Sequence, residues 1–470
     1  MNNLFNKTRA GLMATISFLF FTVIVPQAVF AQTDEITILK QQMRELQERL
    51  NAMQEKLESV DENVTQNAQA VEATAEAVES YGSTSSFWDK TSMGGYGELH
   101  YNNLSVEGRD NKKEIDFHRF VLFFGHEFND RLRFFSEVEL EHALAGDDQP
   151  GEVELEQAFI EYDFNERNTA RAGVFLLPIG IMNETHEPPS FYGVERNTVE
   201  NVIIPTAWWA GGVAYTHRMD NGFSFDLALH EGLKIDDGAT EVKTIQRIKD
   251  DGLTDTDSDG TPDRVADGTI DEVKNTVRGD GTARIRSGRQ KTALADADNF
   301  AVTSRVKYTG MPGLELAAGL QYQSDITQDS NDSIDGAILY VAHMVYSKGP
   351  FGLRALYAGW DLDVDSQIED PQNIGSQIQN PIKANDYDQQ QGWYVEPSFR
   401  LNEHFGVFAR YEDVEGGRSQ DEFDQWSVGF NYWLSESTVF KADFVDREHD
   451  NRGDRRRDFD GFNLGVGYEF

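Results

Sequence analysis

Basic side chains alternate with apolar neighbours along much of the chain, and guanidinium and ammonium groups are the donors that bind anions in proteins. The residues with this spacing are Arg133, Arg171, Arg305, Lys307, Arg354, Arg400, Arg410 and Lys441. Carboxylates share the same phase at Glu137, Glu139, Glu141, Glu161, Glu396, Glu412 and Asp443. Charges on a lipid-facing surface are costly, so both sets are predicted to face water. Because both signs are present, the lining has the composition of a polar pore with a transverse field.

A second polar cluster lies in a long connection between two alternating segments. Residues 179–208 contain Glu184, His186, Glu187, Glu195 and Arg196. A connection of this length is usually functional or disordered. Glu184, His186 and Glu187 have the chemistry of metal ligands, but we favour the interpretation that the segment folds inward and lines a constriction.

The longest insertion, residues 233–298, contains the sequence DTDSDGTPD at 255–263. Asp255, Asp257, Asp259 and Asp263 surround Gly260 with the spacing of an oxygen-rich calcium loop. Position twelve is Ala266, so the bidentate glutamate of an EF-hand is missing and the motif is more similar to thrombospondin-type or dockerin-like loops. The alternatives are a structural Ca²⁺ site and an acidic loop without metal. No other cofactor is indicated.

The elements that must position these side chains are β-strands, because apolar residues recur with period two after residue 93. Their lengths suit tilted transmembrane strands, and about 16 of them can be counted. The segments are 94–102, 114–128, 131–142, 153–164, 170–180, 211–219, 223–232, 300–310, 314–324, 335–347, 351–362, 392–401, 405–414, 423–433, 438–448 and 459–470. Tight turns alternate with long acidic connections. This predicts an all-β, antiparallel outer-membrane β-barrel over residues 93–470, with the short turns facing the periplasm.

The chain ends in NLGVGYEF, whose alternate residues are apolar. A barrel in lipid leaves no strand edge unpaired, so this strand is predicted to pair with the first one. The polar-x-Gly-x-x-aromatic-x-aromatic pattern of Asn463, Gly465, Tyr468 and Phe470 is similar to the carboxyl-terminal signal read by the barrel assembly machinery.

The amino-terminal region has a different organisation. Residues 1–31 have the charged, apolar and small-residue regions of a secretory signal peptide. Residues 32–80 carry apolar positions every seven residues, which predicts a periplasmic α-helical coiled coil with partner chains, and residues 81–92 form a linker. A single helix packed on its own domain is the alternative. Export and a barrel together predict the outer membrane of a Gram-negative bacterium.

The amino-acid composition argues against some classes of binding partner and metal site. The chain has 42 basic and 81 acidic residues, for a formal charge of -39, which argues against nucleic acid as a partner. It contains no cysteine, so disulfides and thiolate metal sites are excluded.

Over residues 93–215 the chain resembles the phosphate-selective porin O/P family. The resemblance is carried by GGYGELHYNN, DFHRFVLFFGHEFNDRLRFFSEVELEHALAG, GEVELEQAFIEYDF and ARAGVFLLPIGIMNETHEPPSFYGVERN. It implies a trimeric, 16-stranded channel whose third long loop narrows the pore and whose basic side chains conduct phosphate. The carboxylates on the same strand phase depart from that basic pattern and place phosphate selectivity in question.

Three function classes follow from these features. The first is a porin for passive diffusion of small hydrophilic solutes or ions, including phosphate or other anions. The second is a structural anchor or tether that holds the outer membrane to the cell wall through the coiled coil. The third is an outer-membrane enzyme, against which stands the lack of a nucleophile motif such as G-x-S-x-G. The sequence favours the porin and predicts no catalytic residue.

Overall fold

The alternating segments form sixteen strands of one closed antiparallel barrel. A computed structural model describes residues 87–235, 242–248, 270–277, 281–329, 334–369, 376–450 and 457–470. The predicted coiled coil, the signal peptide and the calcium motif at Asp255, Asp257, Asp259 and Asp263 lie outside these residues. Among the residues described, no helix has the length and apolar character needed to cross a membrane.

The barrel strands follow chain order, interrupted by two separate hairpins. The barrel strands are β1 Thr91–Val106, β2 Lys112–Asn129, β3 Leu132–Glu141, β4 Val153–Asn165, β5 Asn168–Leu176, β6 Trp209–Arg218, β7 Phe223–His230, β10 Ala301–Met311, β11 Leu314–Gln323, β12 Ile334–Lys348, β13 Phe351–Val364, β16 Gln389–Arg400, β17 Phe405–Glu415, β18 Glu422–Ser435, β19 Thr438–His449 and β20 Phe459–Glu469. The hairpins pair β8 Val242–Ile248 with β9 Ile270–Val277, and β14 Gln367–Glu369 with β15 Gln377–Gln379. Short helices are α1 Val199–Val202 and α2 Pro381–Ala384, with 3-10 turns at Pro188–Ser190, Arg286–Gly288 and Ser419–Asp421.

The last strand closes the barrel against the first, which confirms the prediction made from the terminal octapeptide. β1 and β20 pair from Tyr96 opposite Glu469 to Val106 opposite Phe459. The pairing continues to the last residue, because the Gly95 amide donates to the Phe470 carbonyl at 3.0 Å and the Phe470 amide donates back at 2.9 Å. No edge of the barrel sheet is left open.

Short and long connections alternate around the barrel. Two to four residues join β2 to β3, β4 to β5, β6 to β7, β10 to β11 and the equivalent later pairs, whereas the intervening connections are longer. The two rims therefore differ as the sequence predicted. The fifth strand ends at Leu176, earlier than the predicted residue 180, and both hairpins within the long connections were missed.

The two faces of the wall have different chemistry. Residues such as Leu122, Val138, Leu229, Phe440 and Leu464 are exposed on the outer face, as a lipid-facing surface requires. Charged residues at alternate positions face the interior.

Two β-bulges break the period-two alternation near one side of the barrel. The β1–β2 register shifts between Glu98 and Leu99, which leaves His118 as the extra residue. The β3–β4 register shifts between Glu137 and Val138, which leaves Glu156 as the extra residue. Bulges re-aim side chains and are frequent beside functional sites.

Candidate functional site

The segment 179–208, here called the constriction loop, lies inside the barrel. Its base is closed by Asn183, whose side-chain amide donates to the carbonyls of Leu177 at 2.8 Å and Trp208 at 2.9 Å. The Trp208 amide donates to Asn183 Oδ1 at 2.6 Å. These bonds bring the two ends of the loop together as β5 ends and β6 begins.

A buried carboxylate organises the loop itself. Glu200, in α1, accepts hydrogen bonds from the backbone amides of Ile181 at 2.5 Å and Met182 at 2.7 Å, and from Asn197 Nδ2 at 3.0 Å. The Tyr394 hydroxyl of β16 donates to it at 3.1 Å. Glu200 was not among the predicted site residues, although an acidic residue within the apolar stretch VENVIIP was a usable signal.

The loop presents an apolar side to one half of the inner wall. Val199, Ile203 and Trp208 are fully buried in a cluster with wall residues that include Leu339 and Trp360. The Trp360 indole N–H also donates to the Ile203 carbonyl at 2.8 Å. This apolar section of the inner wall was not predicted, because inward side chains were expected to face water. Here they pack against the apolar side chains of the loop.

The middle of the loop rests on the strands that close the barrel. A Cβ added at Gly467 would lie 2.2 Å from Pro188 Cβ, and one added at Gly465 would lie 3.1 Å from Val194 Cγ1. The Val194 amide donates to Asp443 Oδ2 at 2.6 Å. The glycines of the terminal octapeptide therefore make room for the loop, in addition to any role in assembly.

The other residues of the terminal signal pattern have contacts of their own. Asn463 donates to Asp443 Oδ1 at 2.8 Å and accepts from Asn102 Nδ2 at 2.9 Å. Phe470 stacks on Phe120 with ring centroids 6.0 Å apart, and Tyr468 lies against Gly97 of β1.

The interior basic residues divide into two groups. Arg133 and Arg171 are partly exposed and both pair with Glu161, and Arg133 also pairs with Asp163 at 2.6 Å. Lys307 Nζ lies 3.9 Å from Glu315 Oε2. These groups line water near the short-turn rim and carry carboxylates beside them.

The remaining basic residues contact the loop or neighbouring aromatic rings. Arg410 donates to Glu396 at 2.8 Å and to the Tyr192 carbonyl at 2.7 Å. Arg354 donates to the Ser190 carbonyl at 2.7 Å. Arg400 lies 4.0 Å from the centre of the Trp433 ring. Lys441 Nζ lies 3.3 Å from the centre of the Phe191 ring. Lys441, Glu137 and Glu139 are buried beneath or beside the loop, whereas Arg410 is largely buried but borders a cavity.

The predicted constriction residues contact different partners. Glu184 forms an ion pair with Arg305, which also pairs with Asp226 at 2.9 Å. Glu187 is half-buried, and its carbonyl accepts from the Ser190 hydroxyl at 2.7 Å. Glu184, His186 and Glu187 therefore do not converge on one metal, because successive loop residues point in different directions.

The other two candidates lie toward the long-loop rim, where Arg196 borders a cavity. Glu195 contacts His100 Nδ1 at 3.1 Å and accepts from Asn102 Nδ2 at 3.1 Å. The Glu195 side chain lies inside the barrel but is 48% exposed. Partial desolvation opposes its ionisation, but the charge of His100 outweighs this and lowers the pKa of Glu195 to about 2. The pair ties the loop to β1.

His186 occupies the opposite side of the loop and is fully enclosed. Its Nε2 lies 3.7 Å from Glu137 Oε1 and 3.9 Å from Glu156 Oε2. Burial works against a charged imidazole, yet the two carboxylates dominate and raise the pKa of His186 to about 9. Glu156, the bulge residue of β4, was not singled out from the sequence.

Two cavities border the loop, one toward each rim. The cavity toward the long connections has a volume of about 360 Å³ and is lined by both signs of charge, including Lys112, Asp116 and Arg447. The cavity toward the short turns has a volume of about 520 Å³, and its lining includes Asp89 and Lys90. Both provide space for water and small polar solutes.

Comparison with known proteins gives one family match, one relative and two similar solved structures. The family model described as Gram-negative porin matches residues 67–454. An uncharacterized protein of Aquifex aeolicus (strain VF5) is 26% identical over an alignment of 387 positions, and 77% of each chain is covered. Among solved structures, the anion-selective porin from Comamonas acidovorans is similar at 12% identity with a TM-score of 0.48, covering 81% of this chain and 99% of that one. The outer membrane channel DcaP of Acinetobacter baumannii is similar at 10% identity with a TM-score of 0.47, covering 81% and 97%.

Proposed function

The chain belongs to the Gram-negative porin family, and from this premise we propose that it is a weakly selective channel for passive diffusion of small hydrophilic solutes. Family membership and the closed 16-stranded barrel identify an outer-membrane channel. The proposal concerns what passes through it. The finer assignment to phosphate-selective porins remains a prediction from sequence resemblance.

One observation carries the proposal: guanidinium groups on the inner wall have carboxylates within ion-pair distance. Arg133 and Arg171 share Glu161, while Arg305 lies between Glu184 and Asp226. A phosphate ladder requires donors that are available to replace the hydration of the anion. A paired guanidinium has already used much of that capacity. Mixed charges orient polar solutes without strongly excluding ions of either sign.

The experiment is the single-channel conductance and reversal potential of the full-length protein in a planar bilayer under a salt gradient, with and without phosphate. We expect discrete openings, a reversal potential near zero and no block by phosphate. Strong anion selectivity with phosphate block would instead support the phosphate channel. Absence of conductance would favour the tether or enzyme alternatives.

Matched variants at the short-turn cavity sharpen this test. Glu161→Gln removes the shared partner of two guanidinium groups, so the reversal potential should shift toward anion preference. Arg171→Gln removes one of those cations and should shift it in the opposite direction. Unchanged reversal potentials in both variants would place the ion path elsewhere.

A homotrimer is also proposed, on the resemblance to trimeric porins. Chemical cross-linking of the protein in native membranes should give a ladder that ends at three chains. A ladder that ends at one or two chains would contradict the proposed assembly.

A further inference from the structure

Three ligand-type side chains meet where the constriction loop touches the wall of β3 and β4. Glu137 projects from β3, Glu156 projects from the bulge in β4, and His186 projects from the loop. Each contributes one nitrogen or oxygen atom, and these atoms all lie within 4.8 Å of one another. The three residues are 1%, 3% and 2% exposed.

The converging atoms have no hydrogen-bond partner among the described residues. These atoms are Glu137 Oε1, Glu156 Oε2 and His186 Nε2. Leaving a buried polar atom without a partner costs about 1–3 kcal/mol, and more when the group is charged. Three such atoms directed at one position are therefore expected to bind something.

Nearby charges leave the cluster strongly electronegative. Glu139 adds a third buried carboxylate, and its Oε2 lies 3.9 Å from Arg119 Nη1. Arg119 is mainly engaged elsewhere, since its Nε donates to Glu98 at 2.6 Å and its Nη1 to the Tyr96 hydroxyl at 3.2 Å. A cation is thus the ligand that this enclosure favours.

The atoms not directed at the cluster are held by hydrogen bonds. His186 Nδ1 lies 3.3 Å from the Asn183 carbonyl, so Nδ1–H can donate there. Nε2 faces the two carboxylates, and a metal that binds it displaces the Nε2 proton. Glu137 Oε2 accepts from Gln157 Nε2 at 2.6 Å. Such second contacts orient metal ligands and fix the imidazole tautomer.

We propose that Glu137, Glu156 and His186 bind a divalent transition-metal ion, with Zn²⁺ as the best match. Ligands about 2.0–2.2 Å from a tetrahedral zinc are about 3.4 Å apart, close to the 3.7 and 3.9 Å separations from His186 Nε2. The imidazole disfavours Ca²⁺ and Mg²⁺, which prefer oxygen ligands. A metal here joins the constriction loop to the barrel wall.

A second histidine cluster provides an internal control. Asp116 Oδ2 accepts from His118 Nδ1 at 3.1 Å and from His142 Nδ1 at 2.8 Å, so its groups satisfy one another. These side chains are also partly exposed. The variant His118→Gln/His142→Gln removes this competing set without touching the proposed site.

The test measures zinc bound to the full-length, chelator-treated protein by mass spectrometry after gel filtration, with circular dichroism to check the barrel. The His118→Gln/His142→Gln protein should retain one zinc ion per chain through gel filtration. Adding Glu156→Gln or His186→Gln should weaken the zinc affinity at least about tenfold, so that this ion is lost. Zinc should also slow amide exchange in the constriction loop. Binding that is absent, or unchanged by Glu156→Gln and His186→Gln, would overturn the proposal and leave a shared proton as the occupant.

If the added substitutions prevent barrel formation, X-ray absorption at the zinc edge of the His118→Gln/His142→Gln protein decides the question. A shell of nitrogen and oxygen near 2.0–2.1 Å with imidazole scattering supports the site. A shell of oxygen alone overturns it.

Discussion

Substitution of Gly467 by alanine tests how the constriction loop is seated. The new Cβ would lie 2.2 Å from Pro188 Cβ and 3.1 Å from its Cγ. Carbon atoms in contact are normally about 3.5–4.0 Å apart, so the overlap is about 1.3–1.8 Å. Gly467 is paired with Glu98 on one side and Val439 on the other, so the loop must move in preference to the strand.

The expected cost of Gly467→Ala is about 1–3 kcal/mol in the free energy of unfolding, the range for overpacking. Gly465→Ala should cost less, since its Cβ would lie 3.1 Å from Val194 Cγ1. Gly319→Ala is the matched control, because its closest neighbours would be at the ordinary distances of 3.4 and 3.8 Å. The assay is urea unfolding in detergent or lipid vesicles, combined with amide exchange of the constriction loop.

A double-mutant cycle isolates the contact. Pro188→Gly removes both overlapping carbons, so Gly467→Ala should cost at least about 1 kcal/mol less in that background. If Gly467→Ala matches Gly319→Ala in stability and loop exchange, the loop does not rest on β20 and our account of its seat is wrong.

Three further outcomes are expected. Arg410→Gln should destabilise the barrel by about 3–5 kcal/mol in urea unfolding, because it leaves the buried Glu396 carboxylate without its cation. Glu200→Gln should cost about 1–3 kcal/mol, since an amide cannot accept all the hydrogen bonds that this carboxylate receives. The Glu195 contact with His100 should protect the loop from exchange above about pH 4.5, and this protection should be lost as the pH falls toward the lowered Glu195 pKa of about 2.

Each of these expectations has its own contradicting result. An Arg410→Gln protein as stable as the unaltered one would mean that Glu396 finds water. Unchanged loop exchange in Glu200→Gln would remove that residue from the organisation of the loop. Glu195→Gln should abolish the acid-dependent step, so its persistence would assign the step to other groups.

The sequence was most informative where structure depends on local pattern. Period-two alternation and turn composition predicted all sixteen barrel strands, and the terminal octapeptide predicted closure against β1. Local pattern did not single out His118 and Glu156, because each bulge inserts one residue and changes the phase of its strand. Strict period-two alternation therefore does not predict which face of the sheet these residues occupy.

The contacts between the constriction loop and the barrel wall could not be predicted from the sequence, for a different reason. Lys441 was predicted to line water, yet Phe191 of the loop covers it, and this depends on which loop atoms reach it across the barrel. The same holds for Gly467, because the pattern of the terminal octapeptide predicted closure of the barrel and not the contact with Pro188. Such contacts join segments far apart in the chain and have no local signature.

The contacts between the loop and the closing strands also constrain the order of barrel formation. The Val194 amide bonds Asp443 across a separation of 249 residues, and Arg410 reaches the Tyr192 carbonyl across 218. Contacts between such distant segments form slowly, because much of the chain must first be ordered. The middle of the loop, which includes Pro188 and Val194, therefore completes its contacts only when the last strands are in place. Filling of the interior and closure of the wall are consequently expected to be late, coupled events in folding.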